Sequence, residues 1–387
     1  IGEEPVAPYQ RPPLSKAYLL GEMSLERLSF KSADYYPEKG VETRFGVAAT
    51  AIDRAAKTVV MADGARIPYG KLALVTGARA NPLPAAMGGD LPGIYAVRDL
   101  ADVDAMAPEF QAGRRVLVVG GGYIGLEAAA VASKLGLQVT LIERESRILA
   151  RVASAETADY FRDLHQKHGV EVREGAALEA LEPGPDGRVA AARLAGGDRL
   201  ELDFVIIGVG VTPNDALAAE AGLETRDGVL VDAACRTSDP DILAAGDCAR
   251  FEYQGASIRL ESVQNALDQA QAAAATLAGE ETTYAPRPWF WSDQYDVKLQ
   301  IAGLFKIGAR EAKRIVTRPG DRPGGHSVWY FHEPDGAGGA SQLWAVDAMN
   351  DPRAYMQGKR WIEAGTSPDP AALADAATPL KSLSVSA

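Results

Sequence analysis

The chain has 387 residues, 47% of them hydrophobic and 24% charged, with a formal net charge of −12. That length supports two or three domains of about 100–200 residues each, and the acidic balance argues against a nucleic-acid-binding surface. No apolar run approaches the ~18 residues of a membrane helix, only two cysteines occur and four scattered histidines form no metal pattern, so the expectation is a reduced, metal-free, cytoplasmic globular protein.

The first stretch, IGEEPVAPYQRPPLSK, sets an isoleucine before Gly2 and Glu3. That order reads as the last residue of a buried strand followed by an acid, where a nucleotide-binding unit holds a ribose. Lys71 to Gly77 then reads as a strand running into a tight glycine turn.

The strongest signal runs from Arg114 to Leu149. Val116 to Val119 is a short apolar run suited to a strand buried on both faces, followed by Gly120-x-Gly122-x-x-Gly125 and an alanine-rich helix ending near Gly136. Gly120 permits the turn, Gly122 lets the backbone approach a pyrophosphate, and Gly125 allows close helix–strand packing, while the helix N-terminus offers free N–H groups to phosphates. The second strand, Val139 to Ile142, ends in Glu143. An acid there accepts from both ribose hydroxyls and repels a 2′-phosphate, which favours NADH over NADPH. The neighbouring Arg144 leaves room for a 2′-phosphate.

Asp239 to Arg250 reads as a strand ending in Gly246-Asp247, a carboxylate placed to meet a ribityl hydroxyl or orient a pyrophosphate. The alanine-rich run from Gln264 to Gly279 reads as a helix. From Tyr284 the pattern changes: SVWYFHE and SQLWAVDAM read as antiparallel strands around the glycine-rich turn DGAGGA, and the alanine-rich tail from Ser367 as a terminal helix.

Together YQRPPLSKAYL, LVTGARANPLP, VLVVGGGYIGLEAAA, GVGVTPN, LAAGDCARF, RLESVQNALDQA and PWFWSDQYD resemble the two-dinucleotide-binding flavoprotein reductases, and more closely the putidaredoxin and rubredoxin reductase family. The resemblance implies an α/β, glutathione-reductase-like fold: two Rossmann-like nucleotide-binding domains, one inserted in the other, and a C-terminal α+β interface domain. The implied boundaries are residues 1–98 and 213–283 for FAD, 99–212 for NAD and 284–387 for the interface domain. In the family a first strand, glycine motif and helix precede the acid at Glu3. That N-terminal βα unit, on the order of 30 residues, is absent from this chain, which points to a segment missing from the sequence in hand rather than a natural truncation.

The resemblance assigns Glu3, Lys16, Ala49, Arg98, Asp247 and Val263 to FAD. Arg11, Thr76, Gly77, Gly210, Gly246 and Trp291 complete the cofactor-binding set, with Tyr123 and Ile124 joining the glycine loop and Glu143. Lys16 and Glu127 match the family's paired charges beside the isoalloxazine and are the catalytic candidates. Glu127 alternatively caps its own helix's first turn. Trp291 matches the docking surface, and both it and Trp289 are alternatively core aromatics. Between Asp296 and Arg322 the basic residues Lys298, Lys306, Arg310, Lys313, Arg314, Arg318 and Arg322 outnumber Asp296, Glu311 and Asp321, a local excess able to steer an acidic partner.

The implied function is an NADH-dependent, FAD-containing ferredoxin reductase serving a monooxygenase or ring-hydroxylating dioxygenase through a [2Fe–2S] ferredoxin. Disulfide reductases and NADH oxidases of this architecture need a reactive cysteine near the flavin, and Cys235 and Cys248 fall in the wrong segment. An NAD(H)-sensing protein of the apoptosis-inducing-factor type shares the plan and is the non-enzymatic alternative.

Overall fold

The computed structural model describes residues 1–32, 34–333 and 341–386. They form two compact units, Ile1–Arg79 with Val211–Pro286, and Ala80–Gly210 with Arg287–Ala387. The DGAGGA turn lies outside the described residues.

In the second unit a five-stranded parallel sheet runs in the order Ile94–Ala96, Phe204–Ile207, Arg115–Val119, Gln138–Glu143 and Glu171–Glu174. Phe204–Ile207 and Val116 to Val119 are buried throughout, as strands covered on both faces must be. The helix Tyr123–Lys134 leaves the glycine loop and packs back on this sheet.

The same unit carries a five-stranded antiparallel sheet in the order Trp289–Gln294, Val297–Gly303, Gln342–Met349, His326–His332 and Arg314–Pro319. SVWYFHE and SQLWAVDAM do pair antiparallel, with Trp329 opposite Val346. Their burial is continuous rather than alternating. The reason is that both faces are covered. The helix Pro352–Ala364 lies on one, so closely that a Cβ on Gly358 would sit 2.5 Å from Val346 Cγ1. On the other, Ser154 and Thr157, at the start of the helix Ala155–Lys167, hydrogen-bond Tyr330, and Thr157 also donates to Asp347. Burial pushes the Asp347 carboxyl up to about 6.

The first unit holds an antiparallel sheet of Ala49–Asp53, Thr58–Met61 and Arg66–Pro68, a parallel pair of Leu72–Leu74 with Ile242–Ala244, and the helix Val263–Leu277. Ser262 caps that helix by accepting from Asn265 N–H at 3.2 Å, and Gly279, with φ +87°, follows its end. Ile1 is exposed rather than buried, and Gly2 forms an isolated parallel bridge to Phe45.

The tail departs from the expected terminal helix. Ser367–Pro368 pairs with Val385–Ser386, and only the short helix Pro370–Ala374 and a 3-10 turn at Leu380–Ser382 lie between. Pro368, Pro370 and Pro379 limit helix growth. Arg318 holds the segment instead: its buried guanidinium donates to the carbonyls of Leu373, Asp375, Ala376 and Thr378. One of the seven cations assigned to a steering surface is therefore internal.

Candidate active site

The three glycines of the loop do three different things. Gly120 has φ +108°, a conformation that side chains rarely adopt, and a Cβ there would meet Gly208 O at 2.4 Å. At Gly125 a Cβ would lie 2.1 Å from Gly120 O, so only glycine lets the helix start so close to the strand end. Gly122, the residue before the helix, faces open space, with nothing within 4 Å of an added Cβ. That gap above the first free N–H groups of the helix is where a pyrophosphate needs close backbone approach.

Glu143 closes the strand beside the loop. Its Oε2 accepts from Gly121 N–H at 2.7 Å and its Oε1 from Glu145 N–H at 2.8 Å, which orients the carboxylate at the rim before any ribose arrives. Arg144 is 80% exposed and paired with Glu145, so its charge is directed outward and engaged. Gly210 has φ +93°, and its carbonyl accepts from Asn81 N–H at 3.0 Å.

Ile124 is 45% exposed at the helix start. The Tyr123 side chain does not serve the loop: its ring lies 4.8 Å from that of Phe290, and its hydroxyl is buried without a partner among the described residues. Desolvation drives that phenol well above its ordinary range. A nucleotide would meet Tyr123 through its backbone N–H.

Glu127 is 2% exposed and lies one turn into the helix. Its Oε1 accepts from the Ser292 hydroxyl at 2.7 Å. The first turn of the helix carries no acid, and the hydrogen bond to Ser292 points the Glu127 side chain towards the antiparallel sheet. On that sheet's Trp289–Gln294 strand, Trp289 and Trp291 are half-buried with ring centroids 5.5 Å apart, and Lys359 Nζ lies 5.6 Å over the Trp289 ring. Arg98 also belongs to this unit, with its N–H on Asp102 Oδ2 at 3.0 Å.

The remaining FAD candidates lie in the first unit. Lys16 sits in a tight turn, Leu14–Tyr18, with non-helical φ −134° and ψ −109°. Glu3 is exposed, whereas Glu4 forms the ion pair with Arg11 and accepts from Tyr9 OH. Ala49 opens its strand. Thr76 Oγ1 donates to Asn214 O at 2.6 Å, and Asn214 N–H donates to Gly77 O at 2.9 Å, a strap that fixes the glycine turn. Gly246, with φ +82°, donates its N–H to Gln269 Oε1 at 2.8 Å, and Asp247 O accepts from Arg259 at 3.0 Å. Val263 is 36% exposed at the helix start. Beside it Gln264 Oε1 is buried with no partner among the described residues, as is Gln269 Nε2. Orphaned polar atoms on a helix that opens with an exposed valine fit the edge of a flavin dinucleotide, and the glycine gap with Glu143 fits NAD(H).

The sequence reading missed Ser292, Gln294, His165 and Asn214. The first two carried a signal: in WFWSDQ, period two sets Phe290, Ser292 and Gln294 on the face opposite Trp289 and Trp291.

Both cysteines are free and buried. Cys235 Sγ donates to Gln269 O at 3.6 Å and Cys248 Sγ to Leu74 O at 3.5 Å, and burial pushes the Cys235 thiol up to about 11. A thiol held protonated is a poor nucleophile. A Cys235→Ser, Cys248→Ser variant should keep NADH-dependent flavin reduction and ferredoxin turnover. Loss of turnover in a folded, FAD-loaded variant would revive a disulfide mechanism.

Among the described residues no cluster of His, Cys, Asp and Glu is arranged to hold a metal, and no helix is long and apolar enough to cross a membrane.

Residues 1–274 match the pyridine nucleotide-disulphide oxidoreductase model and residues 289–384 the reductase C-terminal model. The 5,5'-dehydrodivanillate O-demethylase ferredoxin reductase subunit of a Sphingobium species is 42% identical over 386 residues, covering 99% of this chain and 91% of its own. Putidaredoxin reductase of Pseudomonas putida is 37% identical over 388 residues, covering 99% and 89%. Among solved structures, the covalent putidaredoxin reductase–putidaredoxin complex superposes with a TM-score of 0.91 at 38% identity, covering 98% of this chain and 90% of that one. With its glycine loop, strand-end acid and C-terminal antiparallel sheet, the chain belongs to the pyridine nucleotide-disulphide oxidoreductase family, in the branch of FAD- and NAD(P)H-dependent ferredoxin reductases related to putidaredoxin reductase.

Proposed function

We propose that this oxidoreductase takes electrons from NADH, in preference to NADPH, and delivers them through FAD to a [2Fe–2S] ferredoxin that supplies a monooxygenase or ring-hydroxylating dioxygenase. The observation that carries the cofactor choice is the Glu143 carboxylate, fixed at the glycine-loop rim by two backbone N–H groups. FAD, when bound, accepts two electrons as a hydride and releases them singly. The protein's part is binding, orientation and charge.

In this reading residues 1–98 and 213–283 hold FAD, 99–212 hold NADH, and 284–387 face the partner. Lys16 places a cation by the flavin and stabilises negative charge on the reduced ring. Glu127 orients the nicotinamide from the helix that follows the glycine loop. Gly120, Gly122 and Gly125 bring backbone N–H groups to the pyrophosphate, and Glu143 accepts from the ribose.

A groove lined by Arg287, Lys359, Arg360, Glu363 and the exposed Met356, next to Trp289, suits an acidic protein with an apolar contact patch. The two buried thiols weigh against the disulfide route. A cytoplasmic setting goes with the use of NADH.

The test is flavin reduction by NADH and NADPH in the wild type and in Glu143→Ala. NADH should be the better donor. The substitution should narrow the gap by roughly tenfold or more, the loss of one or two charge-assisted hydrogen bonds of about 1.5–3 kcal/mol each. Equal efficiency with both donors in the wild type would overturn the assignment.

A further inference from the structure

Glu127 stands at one end of a buried chain of hydrogen bonds. Its Oε1 accepts from Ser292 Oγ at 2.7 Å, Ser292 Oγ accepts from Gln294 Nε2 at 3.1 Å, and Gln294 Oε1 meets His165 Nε2 at 2.8 Å. Beyond, Tyr295 OH lies 3.3 Å from His165 Nδ1. Ser292, Gln294 and His165 have no solvent exposure, so each bond is formed out of water, where its loss leaves an unsatisfied group.

The polarity of the chain follows from its end. Ser292 Oγ donates to Glu127 Oε1, so its single hydrogen points at Glu127. Ser292 then needs a donor behind it, which turns the Gln294 amide so that its Nε2 faces the serine and its Oε1 faces the histidine. His165 must in turn be a neutral imidazole with the hydrogen on Nε2, leaving Nδ1 to accept from Tyr295. Burial supports the neutral ring, pushing the His165 pKa down to about 4. The opposite amide orientation would turn the serine hydrogen away from the carboxylate. An amide does not readily pass a proton, so the arrangement orients rather than conducts.

We infer that Ser292, Gln294 and His165 are positioning residues for hydride transfer, holding the Glu127 carboxyl group fixed through a one-way series of hydrogen bonds. The inference rests on the orienting role given to Glu127 above. The hydrogen bonds of these three residues run to one another, to Glu127 and to Tyr295 rather than to the glycine loop or Glu143, so they act on the rate of hydride transfer and not on the capture of NADH.

The test is stopped-flow reduction of the FAD-loaded protein by NADH, without ferredoxin, in Ser292→Ala, Gln294→Met, Glu127→Gln and the two doubles with Glu127→Gln. Gln294→Met keeps the volume of the side chain and removes both hydrogen bonds, which guards against a cavity effect in Ser292→Ala. The limiting rate should fall about tenfold in each single variant, while the NADH concentration for half-saturation stays within about twofold. In the Glu127→Gln background either substitution should cost little more, because the group it positions is already altered. Additive losses in the doubles, or a rise in half-saturation with an unchanged limiting rate, would overturn the inference. So would unchanged rates in Ser292→Ala and Gln294→Met beside a slow Glu127→Gln, which leaves the Glu127 role standing alone. A Glu127→Gln protein with normal hydride transfer would instead remove the role of Glu127 and the inference with it.

Discussion

Gly125→Ala should cripple NADH-dependent reduction and lower stability together, whereas Gly122→Ala should affect NADH alone. The difference follows from what each added methyl would meet. At Gly125 it would lie 2.1 Å from Gly120 O, a backbone atom, and Gly120 N–H is itself tied to Ile142 O at 2.8 Å. Neither side can yield without moving the strand end, the helix start, or both. Overpacking of this kind costs roughly 1–3 kcal/mol, and the displaced groups are the ones that would cradle the pyrophosphate. Flavin reduction at low NADH should fall by about a hundredfold, with a lower melting temperature. At Gly122 the methyl enters empty space, so the melting temperature should hold while NADH binding weakens. Equal melting temperatures for the two variants would show that the close approach at Gly125 is not what sets the loop.

Arg318→Met should destabilise the C-terminal tail without changing how the protein responds to salt when it meets a ferredoxin. The guanidinium is 4% exposed and serves the four carbonyls of Leu373, Asp375, Ala376 and Thr378. Methionine fills much of the same volume and donates nothing, leaving buried acceptors without partners. The loss should be about 3 kcal/mol, with a melting temperature lower by several degrees and faster proteolysis beyond Pro368. A steering charge would behave in the opposite way. If Arg318→Met kept its stability and lost salt-dependent ferredoxin reduction, the residue would belong to the partner surface after all.

The nucleotide-binding elements were legible because each of their constraints is local. A fully apolar run, three glycines at fixed offsets and an acid at a strand end all fall within Arg114 to Leu149, and the structure forms the strands and helix there within a residue or two. The helix Val263–Leu277 was legible for the same reason, through its alanines.

What escaped was set by long-range contact. Arg318 reads as one more cation in a basic stretch, and only the tail folding back over it makes it structural. Tyr123 sits in the glycine motif by sequence, yet its ring belongs to Phe290, more than 160 residues away. Glu127 had two readings, a pairing with Lys16 and a cap, and neither named Ser292, its hydrogen-bond partner at a sequence separation of 165. His326–His332 reads as an antiparallel strand, and nothing local announces that Ser154 and Thr157 will cover one of its faces.

The central claim is that electrons from NADH leave this protein singly for a ferredoxin. The most direct measurement mixes FAD-loaded protein anaerobically with NADH and an oxidised [2Fe–2S] ferredoxin, following flavin and iron–sulfur absorbance together. The account predicts bleaching of the flavin by NADH first, then two ferredoxins reduced for each NADH consumed, with both steps retained in the Cys235→Ser, Cys248→Ser variant. A flavin that is reduced by NADH but leaves every ferredoxin tested oxidised, while it is reoxidised by a disulfide or by oxygen, would contradict it.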